Sequence, residues 1–213
     1  QAYNTTNLNT FNAPFRHSQL TGDIDDTDNS ILMNTTTVTM GRLFTPTTTG
    51  STSYTINFNN AFYHPVDGYQ NTIIASTGFY IEGGTTEYFF DDDGSGNLRI
   101  YSIAVGVRTY YSVTAGTVDY VNGLITINGV LISSTSNIDG SASVQVRITA
   151  LSDSNDVIPV RNQLLEIDFI NSTITAKIDA SATTGIGYTT TTTGTTTSTT
   201  VNTTSSTTSS SSY

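Results

Sequence analysis

The sequence predicts a mainly β protein made of antiparallel, sandwich-like β units, with short helical turns near the N-terminus. Thr, Val, Ile, Tyr and Phe, the residues that favour strands, are abundant. Apolar and polar residues alternate over short segments, and long stretches with helical spacing are missing. Asn-Gly and Asp-Gly pairs separate these segments. Many short strands divided by such turns are typical of β-sandwiches and small barrels.

The alternation predicts strands over residues 54–59, 124–128, 144–149 and 174–178. A polar turn and an X-Pro step precede another alternating segment, 164–169, which is also expected to be a strand. The clearest hairpin covers 118–127, where Asn122-Gly123 should supply the two positive φ angles of a type I′ turn. Acidic and cap residues precede apolar ones around Ile31, which predicts a short helical segment near 23–32.

Three regions are expected along the chain. An N-terminal β unit covers 1–83, a C-terminal β unit covers 84–187, and a loose boundary falls near Gly83-Gly84. Residues 188–213 form a low-complexity tail of Thr and Ser, with almost nothing apolar to bury. Order in this tail would require a neighbouring subunit or a sheet edge that it can join. A glycosylated stalk is the other interpretation.

Composition disfavours several functions. The chain has 213 residues, a net charge of −10 and only seven scattered basic residues, so neither nucleic acid nor an anionic membrane is an expected partner. Cysteine is absent, which excludes disulfides, thiolate zinc sites and a cysteine nucleophile. The chain begins with Gln1, which indicates a processed product or one part of a longer polypeptide. No cofactor is predicted.

One acidic loop partly fits a calcium site. Asp91, Asp93 and Ser95 occupy the first, third and fifth positions of such a loop, and Gly96 occupies the sixth. The twelfth position is Ser102 instead of Glu, and both flanks alternate as strands do. A hairpin turn therefore explains the loop better than a metal does. A second acidic cluster is best explained as a solvated face or a helix N-terminus; it comprises Asp23, Asp25, Asp26 and Asp28.

Signatures of catalysis are missing from the sequence. His17 and His64 stand far apart, no Gly-x-Ser-x-Gly motif is present, and no two carboxylates are marked as a pair. We therefore predict that the protein is not an enzyme and assign no catalytic residue.

Several segments together resemble one known family. They are 11–16 (Phe-Asn-Ala-Pro-Phe-Arg), 24–28, 90–101, 116–120 and 154–169, in that order. The chain resembles the C-terminal region of the baseplate wedge subunit of contractile-tailed phages, the baseplate J-like protein of cyanophage type. The resemblance covers roughly positions 1 to 188, more than one short motif could.

This resemblance implies a structural virion protein of the tail baseplate, assembled in the host cytoplasm. Its partners would be other wedge proteins and copies of itself in the baseplate ring, with no small-molecule substrate. Residues within the resembling segments are the interface candidates: Phe11, Phe15, Arg16, Arg161 and Asn162. An isolated Arg in an acidic protein pairs with a carboxylate inside the fold or across an interface, and both roles stay open for the two arginines.

A secreted or surface-displayed β-sandwich adhesin, or a glycan-binding module, is the alternative function. The acidic, Thr-rich and cysteine-free composition is compatible with both classes of protein. Self-association would favour the wedge subunit, whereas stabilisation by a ligand would favour the glycan binder.

Overall fold

The structure, a computed structural model, describes residues 2–177. The chain divides into two compact units, residues 1–173 and residues 174–213. In the second unit, residues 174–177 are described and form neither helix nor strand, although a strand was expected over 174–178. The predicted Thr/Ser-rich tail, residues 188–213, lies outside the described residues.

The first unit is mainly β, as the sequence predicts. Its helical elements are a π-helical turn, Asn4–Leu8, and helix α1, His17–Asp25. Its strands are β1 Thr39–Phe44, β2 Thr52–Asn57, β3 Ile74–Ser76, β4 Phe79–Ile81, β5 Glu87–Asp92, β6 Asn97–Ala104, β7 Val107–Asp119, β8 Leu124–Val130, β9 Ile132–Thr135 and β10 Val146–Leu151. Within residues 2–177, no helix is long and apolar enough to cross a bilayer.

The strands form two antiparallel sheets. The smaller sheet has the order β1-β10-β3, with Met40 opposite Ala150. The larger sheet has the order β2-β8-β7-β6-β5-β4-β9, with Phe90 opposite Ile100. Consecutive strands β4 to β8 are neighbours in this sheet because short turns connect them, as the turn chemistry of the sequence indicates.

Both sheets contribute to one hydrophobic core. Phe79 and Phe90 of the larger sheet are fully buried and stack with ring centroids 4.5 Å apart. Ile148 and Ala150 of the smaller sheet are equally buried in the same cluster. Burying each large aliphatic or aromatic side chain contributes about 1.5 to 3 kcal/mol. Where buried positions alternate with more exposed ones, as along β10, this gain in free energy fixes which face of the strand turns inward.

The structure differs from the expected division near Gly83-Gly84. Strand β4 lies before these glycines and pairs with β5, which follows them. Strand β10 pairs with both β1 and β3, so the smaller sheet also joins the two sides of the expected boundary. Residues 1–173 therefore form one unit with no sheet boundary at these glycines.

The hairpin at Asn122-Gly123 forms, but its turn differs from the expected type. Asp119 pairs with Leu124, which leaves a four-residue loop, and only Gly123 within it has a positive φ, 64°. The Asp119 carboxylate accepts hydrogen bonds from the backbone N–H groups of Val121 and Asn122, at 3.1 and 3.0 Å. This local bonding stabilises a longer turn in place of the two-residue type I′ turn.

Helix α1 lies earlier than the segment expected near 23–32. It covers His17–Asp25, so the acidic residues lie at its end and not at its beginning. Asp28 accepts a 2.8 Å hydrogen bond from the backbone N–H of Ser30, a local turn that competes with continuation of the helix. The start of the helix is fixed by a carboxylate far along the chain, which local sequence reasoning could not identify.

Candidate interface at the joined terminal segments

Two segments that are far apart in the sequence lie side by side near the ends of the described chain. They are residues 11–17 and residues 156–163, and we call them together the terminal junction. Both segments carry the family resemblance noted above. The contacts between the segments involve three of the five predicted interface residues, namely Phe15, Arg16 and Asn162.

An isolated antiparallel bridge forms the centre of the junction. The Phe15 N–H donates to the Val157 carbonyl oxygen at 2.8 Å, and the Val157 N–H donates to the Phe15 oxygen at 3.1 Å. Both side chains are buried. The Tyr3 ring packs edge-on against Phe15, and burial raises the pKa of the Tyr3 phenol. Phe15 thus anchors the junction and is not itself available to a partner.

Two asparagines in the left-handed region close one end of the junction. Asn12 and Asn162 each have a φ of 62°, a conformation that Asn tolerates better than most residues. The Asn12 side-chain oxygen accepts a hydrogen bond from the Asn162 N–H at 2.7 Å, and the Asn12 N–H donates to the Gln163 oxygen at 2.9 Å. The two turns therefore hold each other in register.

Asp156 caps helix α1 from a distance of 139 residues in sequence. Its carboxylate accepts a 2.8 Å hydrogen bond from the His17 N–H, at the first position of the helix, and a 3.0 Å ion pair from Arg16. A carboxylate at this end is favoured by the helix dipole and by the unpaired N–H groups there. The bond from His17 and the charge of Arg16 hold the pKa of Asp156 below its usual value.

Asparagine side chains hold both the junction and the segment that follows it, and that segment forms no strand. The Asn60 side chain exchanges two hydrogen bonds with the backbone of Ile158, at 2.7 and 2.9 Å. Asn4 does the same with Ile167, at 3.2 and 3.0 Å. The expected strand over 164–169 is therefore wrong, although Leu165 and Ile167 do pack against the core. Their alternation reflects one-sided burial without a ladder.

The predicted interface residues differ in what they expose. The Phe11 side chain is 71 % exposed, and Arg161 and Asn162 are also exposed. Arg161 forms no ion pair with any residue in the part of the chain that the structure describes. Arg16, by contrast, is paired with Asp156. Sequence reasoning missed Asp156, Asn12 and Asn60, because nothing in their local sequence marks partners so far away.

The acidic loop is a hairpin turn in which the carboxylates already have partners. Asp91 is buried, and its oxygens accept hydrogen bonds from Arg99 at 2.8 and 3.1 Å and from Arg108 at 3.0 Å. Asp93 accepts from the backbone N–H groups of Ser95 and Asn97, at 2.7 and 3.0 Å. The carboxylates of Asp91 and Asp93 are thus occupied by arginine and backbone donors, and the described residues contain no group of three or more His, Cys, Asp or Glu side chains that could hold a metal ion.

A second buried carboxylate, that of Asp92, lies behind this loop. It accepts hydrogen bonds from the backbone N–H groups of Ile73 and Ile74 and from the Tyr120 hydroxyl, all within 2.9 Å. Burial and the hydrogen bond to Asp92 raise the pKa of Tyr120 far above its ordinary value. The Tyr120 ring stacks on His64 beside a cleft of about 280 Å³. The arrangement ties β5 to the loop before β3 and is structural.

Residues 1–43 match a family described as Baseplate structural protein gp6, C-terminal domain III. The matched segment contains Phe11, Phe15 and Arg16, and thus the N-terminal half of the terminal junction. No curated protein matches the chain. The similarity supports a structural role in a phage tail baseplate, in which the protein would be a virion component that assembles with other baseplate proteins. Such a role favours a protein without catalytic activity.

Proposed function

We propose that this chain is a β-rich part of a baseplate wedge subunit in a contractile phage tail. In this role it contacts other wedge proteins and copies of itself in the baseplate ring, and it is assembled in the host cytoplasm. The observation that carries the proposal is the match of residues 1–43 to a baseplate structural protein domain. The resemblance to the baseplate wedge subunit, which includes residues 154–169, supports the same role for the rest of the chain.

The location of the matched segment supports an interface at the terminal junction. Residues 11–17 are bonded to 156–163, so the two resembling segments form one surface. On this surface Phe11 offers an exposed aromatic side chain and Arg161 an exposed cation. Aromatic residues and Arg are enriched among the residues that dominate binding energies at interfaces. We assign contact with a partner to Phe11, Arg161 and Asn162, and support of the surface to Phe15 and Arg16.

The junction would act mechanically. Asp156, Phe15 and Asn12 join the two distant segments by six hydrogen bonds or ion pairs. The contact surface is therefore already ordered before a partner binds. A preformed surface lowers the entropic cost of binding. In a ring of subunits, the geometry of such contacts sets the assembly.

Incorporation of variants into particles tests the proposed interface. Phe11→Asp and Arg161→Glu should each reduce recovery of the protein in assembled baseplates, because each replaces an exposed contact with a mismatched charge. Val144→Asp is the matched control, since Val144 is exposed in the loop before β10, where its neighbours Ser143 and Gln145 bond to Thr135 and Thr45. Equal incorporation of all three variants would contradict an interface at the terminal junction, provided that each variant retains the melting temperature of the parent chain.

A glycan-binding module is the second candidate function, and the cleft beside Tyr120 favours it. This cleft is lined by His64, Asp67, Ser95 and Tyr120 among others, a mixture of aromatic and polar groups that suits a saccharide. Titration with a panel of mono- and oligosaccharides should raise the melting temperature if this cleft binds one of them. No stabilisation by any sugar, together with incorporation into baseplates, would remove this candidate.

A further inference from the structure

The hairpin of β6 and β7 extends beyond the rest of the larger sheet. Strand β5 pairs with β6 as far as Ser102, and β8 pairs with β7 only over 116–119. Residues 103–108 therefore project as a two-stranded arm, and these residues and the adjoining 109–111 of β7 are all exposed. At its base, the arm is fixed to the sheet, because Arg108 and Tyr110 both donate hydrogen bonds to the buried Asp91. The arm is a fixed projection and not a loose loop.

The tip of this arm is unfavourable for an isolated protein. Ala104 pairs with Val107, so Val105 and Gly106 form a two-residue turn with φ angles of 52° and 77°. Asn and Gly are preferred at the first of these positions, whereas a β-branched residue there is strained. Val105 is also completely exposed, with Ile103 and Val107 half or more exposed beside it. An apolar, strained residue at a solvent-exposed tip indicates a docking element.

One edge of β7 is also unpaired, and it is regular over residues 107–110, because the pairing with β6 shifts register beyond Tyr110. Within residues 2–177, no strand pairs with the outer edge of residues 107–115. Natural proteins protect such edges with charges, proline or bulges that turn the edge away. Here the sequence contains no acidic residue between Asp93 and Asp119, and Arg108, its cation on the arm, is ion-paired with Asp91. In a chain of net charge −10, this surface lacks the negative charges that would oppose self-association.

We propose that two copies of this chain associate through their arms, with the outer edges of β7 paired antiparallel about a twofold axis. Because Ala104 and Val107 close the hairpin, the backbone groups of Arg108 and Tyr110 point away from β6. Antiparallel pairing of Arg108 with Tyr110 of the second copy uses these groups and places Thr109 on the axis. The same edge serves both copies, as a closed twofold contact requires.

A cleft beside the outer edge of β7 could receive the Val105 tip of the other copy's arm. This pairing brings Val105 of one copy toward the irregular part of β7, residues 111–115, of the other. A cleft of about 240 Å³ opens beside this position, where β7 diverges from β8, and Tyr111, Ala115 and Val130 are among the residues that line it. Each exposed tip would thus enter the cleft of the other copy. The exposed Val105 and the open cleft are complementary parts of one contact.

Sedimentation of the whole chain over a range of concentrations tests this pairing. We expect a monomer–dimer equilibrium that Val105→Asn weakens at least tenfold, while the same substitution raises the melting temperature, because Asn relieves the turn. The chain has no cysteine, so Thr109→Cys provides a second test that does not depend on the first. On mild oxidation it should form a disulfide-linked dimer across the axis, and the exposed Thr85→Cys should not.

Two results would overturn the proposal. One is a chain that stays monomeric up to millimolar concentration. The other is a dimer whose dissociation constant Val105→Asn leaves unchanged, together with a Thr109→Cys variant that crosslinks no faster than Thr85→Cys. Self-association would then use another face of the molecule. The proposal specifies the self-association included in the proposed function but uses none of the baseplate similarity. The isolated chain can therefore dimerise whether or not it is found in particles, and the two proposals fail separately.

Discussion

Arg99 holds the buried carboxylate of Asp91 with two parallel hydrogen bonds, Nε to Oδ1 at 2.8 Å and Nη2 to Oδ2 at 3.1 Å. The two residues face each other across β5 and β6. The Asp91 side chain is only 2 % exposed, and Arg108 approaches it from β7. A sequence motif that resembles part of a calcium loop is thus an ion-pair network that joins three strands.

Replacement of Asp91 should be strongly destabilising. Asp91→Asn leaves Arg99 and Arg108 without their carboxylate in a mostly buried site, and breaking such a pair costs about 3 to 5 kcal/mol. Urea denaturation should show a loss near the lower end of this range, because Arg108 keeps partial contact with water. The control is Asp26→Asn, an exposed acid that should change stability little. Equal stability of the two variants would contradict the role given to Asp91.

Tyr120 should make stability depend on alkaline pH. Its pKa is raised in the folded protein, first by burial and then by Asp92, so the folded state keeps a proton that the unfolded chain releases near pH 10. Its contribution is fully present below that pH and is lost as the pH rises toward the folded pKa. Spectroscopic titration should show that Tyr120 ionises after Tyr3 and Tyr101, whose pKa values burial also raises.

Removal of the Tyr120 hydroxyl tests the same contact at neutral pH. Tyr120→Phe should cost about 2 kcal/mol, because the buried Asp92 loses one of its three donors. The variant should also show a smaller loss of stability above pH 10 than the parent, with Tyr3 and Tyr101 accounting for the remainder. If Tyr120→Phe kept the alkaline dependence of the parent, the hydrogen bond to Asp92 would not be its source.

Asp156 should control the local stability of helix α1. In Asp156→Asn we expect faster amide hydrogen exchange over His17–Asp25 and over the neighbouring residues 11–15, with little change in the core strands. Asp153→Asn, an exposed acid nearby in sequence, is the control.

The same contact predicts a response to acid. Because the pKa of Asp156 is lowered in the folded protein, its contribution is present above about pH 3.9 and is lost as the pH falls through the folded pKa. Protection of helix α1 should therefore decrease before the core unfolds. Uniform loss of protection across the chain would argue against a local role.

Asn60 should be important for the C-terminal segment. Asn60→Ala removes the two hydrogen bonds to the Ile158 backbone, and we expect a loss of about 1 to 2 kcal/mol in thermal or urea denaturation. Proteolysis near Ile158 should become faster. Asn29→Ala, at an exposed position, is the matched control. Resistance to proteolysis equal to that of the control would show that other contacts hold this segment.

Local sequence reasoning identified the strands whose patterns are set by burial on one face. Tyr54 and Ile56 lie on the inward face of β2, and Phe58, which directly follows the strand, is buried on the same side. Ile125 and Ile127 lie on the buried face of β8. The Asp93-Gly94 hairpin was also anticipated. In each case the hydrophobic period and the turn residues agree, so local preference and tertiary packing select the same conformation.

Other features depend on contacts between distant residues. Helix α1 starts where Asp156 receives the His17 N–H, and the alternating segment 164–169 stays irregular because Asn4 bonds to the Ile167 backbone. The Val105-Gly106 turn was missed for a different reason. Val-Gly is a poor signal for a type I′ turn, and the turn forms because the strands on both sides pair. These exceptions coincide with the two candidate interfaces.

Peptide mass spectrometry of purified tailed particles, with the secreted fraction of the same culture measured in parallel, tests the baseplate role most directly. We expect peptides of this chain in the particles at a fixed ratio to the sheath and tube proteins. Their presence in the secreted fraction alone would contradict the baseplate role and support the adhesin.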